Sequence, residues 1–498
     1  MSNPITHPLS ELEPHDVFSF FYDMSQIPRP SGKERAISDY LVSFAKEHDL
    51  EWHRDAANNV IIIKEASAGR EAEEPLILQG HMDMVCEKEI SCPKDMDTEG
   101  LDLTLDGDWV SAEGTTLGGD DGIAVAISLA LLADETLSHP RLEVICTTEE
   151  ETGMGGAHNL DAAPLKGRLL LNIDSETEGI LTAGCAGGAT LQVHLPVTRR
   201  NPDPAEKPLT AVRLTLGGLT GGHSGSYIQY GRANADLLLV RLLREFAASH
   251  TLLLCSLTGG TKHNAIPRDA EAVVLTDQPD ALLAKAADME TVLRREYDVT
   301  DPDLKLEAVI LSGSPEASSF DAACTVPVSA SETAVWIALL SALPNGVQRM
   351  DQHLDGLVET SLNLGILKAE EGELFAEYLL RSSTASCLQE LIDRMTCIAS
   401  ATGASVNVPD RYPAWQYVPD SAFREKVVRI FREQYGKDPI VETIHAGLEC
   451  GLLSEKIPGL DAVSIGPDIL DIHTPQEKMS VSSVQRTYAY IRKIVETK

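Results

Sequence analysis

The chain has 498 residues, more than one hydrophobic core normally supports, so two domains are expected. Its 41 lysines and arginines stand against 76 aspartates and glutamates, and the formal charge of -35 argues against nucleic acid and anionic membrane surfaces as partners. No apolar run approaches the roughly 20 residues that span a bilayer, no basic-then-apolar signal pattern opens the sequence, and nine cysteines without a CxxC pair fit reduced thiols; the expected compartment is the cytoplasm.

Ala36, Ile37, Tyr40, Leu41 and Phe44 recur at helical spacing and predict an amphipathic helix over residues 33–50. Short apolar runs follow. Asn58–Lys64 (NNVIIIK), Pro75–Gln79 (PLILQ), Leu142–Thr147 (LEVICT) and Arg168–Asp174 (RLLLNID) read as strands, with a helix over Ile123–Asp134 between the second and third. That mixture predicts an α/β domain with a largely buried sheet. After Gly184–Gly188 (GCAGG) the texture changes to amphipathic strands alternating with long polar helices, beginning at AVRLTLGG and a helix over 233–250. Strand, helix, strand, strand, helix, strand runs to about Leu311, and a less complete unit follows to about Val408. The helix over 421–435 and the strand DAVSIG (461–466) return to the first texture. The expected organisation is an α/β catalytic domain with a central mixed sheet, residues 1–187 and 409–498, interrupted by an inserted α+β domain over 188–408.

Polar clusters fall at the ends of the predicted strands, where open α/β sheets place their ligands. His81 and Asp83 end the first such run. Alternate strand residues point the same way, so the pair is either an ordinary hydrogen-bonded strand end or a carboxylate that holds the tautomer of a metal-binding imidazole. Gly114–Gly122 (GTTLGGDDG) brings Asp120 and Asp121 to the start of a helix, where one of them can serve as a cap. Thr147–Gly156 (TTEEETGMGG) sets three carboxylates directly after an apolar strand; they form a solvated acidic loop or, if packed together, require a cation among them. Asp174 closes its strand or begins a turn, and His473 follows the last strand in Asp471–Glu477 (DIHTPQE).

Each signal has a structural alternative, yet their coincidence at successive strand ends points to one metal centre. Imidazole and carboxylate ligands without a thiolate suit zinc, with manganese or cobalt as substitutes. If the ligands are His81, Asp120, Glu151, Asp174 and His473, the three carboxylates and one hydroxide neutralise two divalent ions, whereas a single ion leaves the cluster negative. Two ions are therefore expected, sharing a carboxylate and a water whose pKa falls toward about 7.

In order along the chain, HMDMV (81–85), GGDDG (118–122), EEETG (149–153), NID (172–174) and HTPQE (473–477) resemble the metal-site motifs of the M20 metallopeptidases. GTTLG, GCAGG, GGHSG, HNAIPR, RSS and HAGLECG look like the aminoacyl-histidine dipeptidase branch, and the likeness covers almost the whole chain. The resemblance implies a di-zinc catalytic domain interrupted by a lid domain. It implies Asp120 as the bridging carboxylate, His81 and Asp174 completing one zinc site, and Glu151 and His473 completing the other. Asp83 would hold His81, and Glu150 would be the general base that takes a proton from the zinc-bridging water and delivers it to the leaving amine. The family often has Asp-Glu-Glu where this chain has Glu149-Glu150-Glu151, and the following Thr-Gly fixes the register; Asp121 is expected to cap its helix.

His223 in GGHSG resembles a lid histidine that polarises the scissile carbonyl, the alternative being a turn residue after two glycines. Arg381 resembles the fork that binds a substrate carboxylate, the alternative being a surface salt bridge. Asn264 and Gly447 match positions that touch the substrate backbone. The implied activity is hydrolysis of dipeptides, Xaa-His among them, by a homodimer. Two rivals are an M20-type amidohydrolase of N-acyl amino acids, against which the long inserted domain and HAGLECG argue, and a catalytically silent metal-binding or interaction protein on the same fold. The second rival has no use for Glu150, a carboxylate expected to bind no metal.

Overall fold

The uninterrupted apolar runs of the first part of the chain become strands covered on both faces. In the computed structural model, which describes residues 7–201, 208–311, 326–369 and 372–498, all six residues of Leu76–His81 and of Leu142–Thr147 are buried. Strands with no solvent face need no polar alternation. They lie at the centre of an eight-stranded sheet with the order Glu51–Arg54, Val60–Lys64, Leu142–Thr147, Leu76–His81, Leu169–Asn172, Asp461–Ser464, Ile180–Cys185, Ile440–Ile444. Leu142–Thr147, Leu76–His81, Leu169–Asn172 and Asp461–Ser464 run parallel, so their carboxyl ends share one edge, while the flanking pairs to Val60–Lys64 and Ile180–Cys185 are antiparallel.

The helix Gly119–Ala133 is buried on nearly every side, which is why IAVAISLALLA carries no polar stripe. It presses so closely on the sheet that a Cβ at Gly80 would run into Asp121 and Ala124. Helices His15–Ser25, Arg35–Glu47, Ala422–Tyr435 and Val481–Glu496 complete this core. Neither His15–Ser25 nor Val481–Glu496 was expected from the sequence, nor was a four-stranded sheet of Ile469–Leu470, Lys478–Ser480, Trp109–Ala112 and Leu103–Asp106.

Two compact units result: Met1–Cys185, Trp415–Thr443 and Leu448–Lys498 form the first, and Ala186–Ala414 with Ile444–Gly447 forms the second. Sequence texture sets the joints at 187/188 and 408/409; contacts set them at 185/186 and 414/415. The difference has a local cause. Arg411–Tyr412 pairs with the strand Gly187–Pro196 and so extends the sheet of the second unit, whereas Cys185 and Trp415 exchange backbone hydrogen bonds of 2.8 and 3.1 Å in the first. Residues 444–447, read from the sequence as part of the catalytic domain, belong with the second unit.

The second unit is built on a ten-stranded sheet whose path runs Lys305–Ile310, Thr210–Gly217, Ala270–Thr276, Leu253–Gly259, Val358–Ala369, Glu373–Ser382, Gly187–Pro196, Ser405–Asn407. Its registered pairs are antiparallel. From Val212 on, Thr210–Gly217 alternates buried residues with half-buried or exposed ones, as a sheet with one wet face should. Helices Ala235–Ala247, Pro279–Glu296, Ala330–Ala342 and Ala385–Ala401 cover the other face. Asn234 and Ser329 cap the first and third of them, accepting the N–H of Leu237 and of Glu332. The eight cysteines among the described residues are free thiols, and no helix there is long and apolar enough to cross a membrane.

Candidate metal centre and substrate groups

Three of the four parallel strands deliver polar side chains just past their carboxyl ends: His81 closes one, Glu149–Glu151 follow Thr147, and Asp174 follows Asn172. Asp120 comes from the start of Gly119–Ala133, and His473 from the turn between Ile469–Leu470 and Lys478–Ser480. Asp120 joins the set. Its Oδ1 lies 3.1 Å from His81 Nε2 and its Oδ2 lies 3.2 Å from His473 Nε2. His473 Nε2 is 3.0 Å from Glu151 Oε2, and His81 Nε2 is 3.6 Å from Asp174 Oδ1. Ligand atoms of Asp120, Glu151 and His473 fall within 4.8 Å of one another, as do those of His81, Asp121 and Asp174 and those of His81, Glu150 and Glu151.

The chemistry of this set fits divalent cations. Two imidazoles aim Nε2 at opposite oxygens of one carboxylate, and Glu151 Oε1 is buried without a hydrogen-bond partner. Burial disfavours a charged His81, but Asp174 and Asp120 outweigh it and raise its pKa. Burial likewise lifts Asp174 to about 6, against the pull of His81 and with the help of Asp120 and Glu151. Carboxylates so placed repel one another unless cations lie between them. His473 also adopts a left-handed φ of 61°, a conformation that a non-glycine residue keeps only where its surroundings hold it.

One sequence expectation needs correction. Asp121 does not cap the helix. Asp120 and Asp121 have non-helical backbone angles inside Gly119–Ala133, and this turns the Asp121 carboxylate onto the sheet, where Oδ2 accepts the His81 N–H at 3.2 Å. Asp83 meets His81 through both its groups, as the sequence leads us to expect of its carboxylate: Nδ1 is 3.2 Å from the Asp83 carbonyl oxygen and 3.4 Å from its carboxylate. That carboxylate, 0% exposed, accepts Ser31 Oγ at 2.7 Å and the N–H groups of Glu150 and Glu151 at 3.1 and 3.3 Å. One side chain therefore orients both His81 and the loop carrying Glu150. Burial pushes the Glu150 carboxyl well above its ordinary range, opposed by His81 and reinforced by Asp174, Glu449 and Glu151.

Sequence reasoning missed three buried residues around the centre. Glu477 accepts N–H bonds from Leu117, Gly118, Gly119 and Asp120 at 2.8, 3.1, 2.8 and 3.4 Å, filling the glycine-rich turn that presents Asp120. Arg29 donates to the carbonyls of Met82, Asp83 and Gly118, tying that turn to the end of the central strand. It lies so near Gly118, whose φ is 65°, that a Cβ there would strike its guanidinium. Glu449 lies beneath the strand ends, hydrogen-bonded to Gln79 and Thr147.

In the second unit, Arg381 lies in the strand Glu373–Ser382 and is 4% exposed. It is buried, not the surface salt bridge that was its alternative reading. Its Nη1 donates to the Tyr412 hydroxyl at 2.9 Å, and its Nη2 is 3.3 Å from His223 Nε2. A Cβ at Gly188 would collide with the Tyr412 ring, which gives GCAGG a physical reason. His223 sits in a two-residue strand paired with Ala265–Ile266, and its Nδ1 accepts the N–H groups of Gly225 and Ser226, both at 3.2 Å. A neutral imidazole that accepts at Nδ1 carries its proton on Nε2. Two donors, His223 Nε2–H and Arg381 Nη2–H, therefore face each other. Asn264 precedes that pairing and is exposed; its carbonyl accepts the Ser224 N–H at 2.9 Å. Gly447 lies two residues past His445, whose Nε2 is 2.7 Å from Ser361 Oγ.

Burial and the Arg381 charge push His223 down to about 4 and His445 down to about 3, from 6.5. Between those values and 6.5 the unfolded chain binds protons that the folded chain refuses, so stability is lost as pH falls through that window. The urea midpoint should fall further between pH 7 and pH 5 in the wild type than in His445→Gln. Equal falls would assign the acid sensitivity to other groups.

The profile of peptidase family M20/M25/M40 matches residues 77–497. The cytosol non-specific dipeptidase of Escherichia coli (strain K12) is 36% identical over 490 residues, 98% of each chain. The crystal structure of an aminoacylhistidine dipeptidase from Vibrio alginolyticus superposes with a TM-score of 0.89 at 36% identity, covering 100% of this chain and 99% of that one. A tripeptidase from Staphylococcus aureus, at 14% identity, TM-score 0.56 and coverage of 97% and 98%, shares the fold alone. With a full-length relative at this identity and a profile match that takes in His81, Asp120, Glu151, Asp174 and His473, the chain belongs to peptidase family M20/M25/M40.

Proposed function

We propose that the protein is a cytosolic metallo-dipeptidase that hydrolyses short peptides, Xaa-His dipeptides among them, with two divalent ions, zinc by donor set, in the first unit. The observation that carries this reading is Asp120, whose two carboxylate oxygens meet the Nε2 atoms of His81 and His473. His81, Asp120 and Asp174 would hold one ion, and Asp120, Glu151 and His473 the other. Ions in such a set supply Lewis acidity, which polarises a carbonyl and makes water a usable nucleophile near neutral pH.

The chain's own residues do the rest. Glu150 takes the proton of the attacking water on its carboxylate and passes it to the leaving amine, a role suited to a carboxyl lifted by burial. Asp83 fixes the His81 ring and, through the Glu150 N–H, the backbone that aims this base. Arg381 grips the free carboxylate of a dipeptide, and the Nε2–H of His223 donates to a substrate oxygen. Asn264 and Gly447 contact the peptide backbone. The names of the two 36% identical relatives support a dipeptide substrate and, for one, a cytosolic address. A homodimer is the assembly we expect, readable by sedimentation.

Stripping metal with a chelator should abolish hydrolysis of Gly-His and carnosine-like dipeptides, and added zinc or manganese should restore it. N-acetyl amino acids should remain uncut. Cleavage of N-acetyl amino acids without dipeptides would instead make the protein a deacylase.

A further inference from the structure

Glu449 opens the helix Glu449–Lys456 and is 0% exposed. Its Oε2 accepts Gln79 Nε2 at 2.6 Å and Thr147 Oγ1 at 2.7 Å, and Gln79 Oε1 accepts Asn172 Nδ2 at 2.6 Å. Gln79, Thr147 and Asn172 are themselves buried and belong to three neighbouring parallel strands, with Gln79 registered opposite Asn172 and His81 opposite Thr147. Two residues beyond Gln79 stands His81, and two beyond Asn172 stands Asp174; Thr147 leads into Glu149–Glu151. The bridge thus lies one layer beneath the proposed ligands and links the strands that present them.

The choice of a carboxylate there is costly. Glu449 Oε1 is buried without a hydrogen-bond partner, and among the described residues no lysine, arginine or histidine forms an ion pair with Glu449. Burial lifts its pKa to about 8, against His81 and with Asp174 and Asp83 adding to the rise. A bridge whose only task was to join three strands would be served as well by an amide, without a charge to bury. The positive charge that would offset this carboxylate is the pair of cations proposed above it. We propose that Glu449 is a positioning residue of the metal centre, an outer anion that strengthens cation binding while holding the His81, Glu149–Glu151 and Asp174 strand ends in register. The inference rests on the metal-centre reading above.

The test uses Glu449→Gln and Glu449→Asp in the full chain, with zinc alone as the ligand. Zinc affinity, read by chelator competition, should fall on the order of 10-fold in Glu449→Gln, the lower end of the penalty for losing a direct outer partner of a metal ligand, since Glu449 acts one layer further out. Glu449→Asp, which keeps the charge, should recover most of that loss. Metal-free Glu449→Gln should melt no lower than the metal-free wild type, because an amide replaces a buried, unpaired acid. A variant that fails to fold, or one that melts lower when metal-free yet binds zinc as the wild type does, would make Glu449 a structural bridge and overturn the proposal. Equal affinity losses in both variants would also overturn the anionic role. A wild-type chain that takes up no zinc would sink the metal-centre reading itself, a different failure.

Discussion

Glu150→Gln is expected to lower kcat for dipeptides by about 10²- to 10⁴-fold, or about 3–5 kcal/mol of transition-state stabilisation. The substitution keeps the size of the side chain and removes its capacity to accept a proton. Residue 150 is held from the backbone, since the Asp83 carboxylate accepts the Glu150 N–H at 3.1 Å, so glutamine should occupy the same place. Metal content decides between two roles. Glu150 can also present an oxygen to the cluster formed with His81 and Glu151. If metal analysis finds the wild-type complement in the slow variant, Glu150 is the base; if the metal leaves with the carboxylate, it is a ligand. Unchanged turnover would remove it from both.

Arg381→Met should cost on the order of 10²- to 10³-fold in kcat/KM on dipeptides, the scale of deleting one partner of a buried charge pair. The guanidinium is almost fully buried, and among the described residues its Nε has no partner and its other nitrogens reach a tyrosine hydroxyl and a histidine that is itself a donor. A buried cation without an anion is unfavourable by several kcal/mol unless a ligand brings one. In the proposed reading the free carboxylate of a dipeptide would do so. The contrast between a dipeptide and its C-terminal amide is the measurement: the wild type should favour the acid strongly, and the variant should lose that preference while folding at least as stably. Equal losses on acid and amide would make Arg381 a packing residue.

The extent to which this molecule can be read without coordinates differs from element to element, for physical reasons. LEVICT and PLILQ are legible because burial on both faces leaves no room for polar alternation, and Ala422–Tyr435 because Ser421 caps a clean apolar stripe. Leu103–Asp106, Trp109–Ala112 and Ile469–Leu470 escape notice because four or two residues cannot establish a period. His81, Asp120, Glu151, Asp174 and His473 stand out because their chemistry is unusual at the ends of apolar runs. Asp121 misleads for the opposite reason: an aspartate at a helix start usually caps, and only its non-helical backbone turns it to the sheet. Glu449 and Glu477 fall inside HAGLECG and HTPQE, yet their roles, like that of Arg29, are not legible there because their partners are remote. Glu477 meets Gly119 across 358 positions and Glu449 meets Gln79 across 370, separations about which local pattern carries no information.

That remoteness bears on how the molecule is made. The turn that presents Asp120 emerges early in synthesis, yet its amide groups find their acceptor only when Glu477 has left the ribosome, together with His473. Contacts so distant along the chain close late. A nascent polypeptide that has not yet reached Glu477 therefore carries the early carboxylates without the partners that position them, and the cluster around Asp120 can close only once His473 and Glu477 have been made.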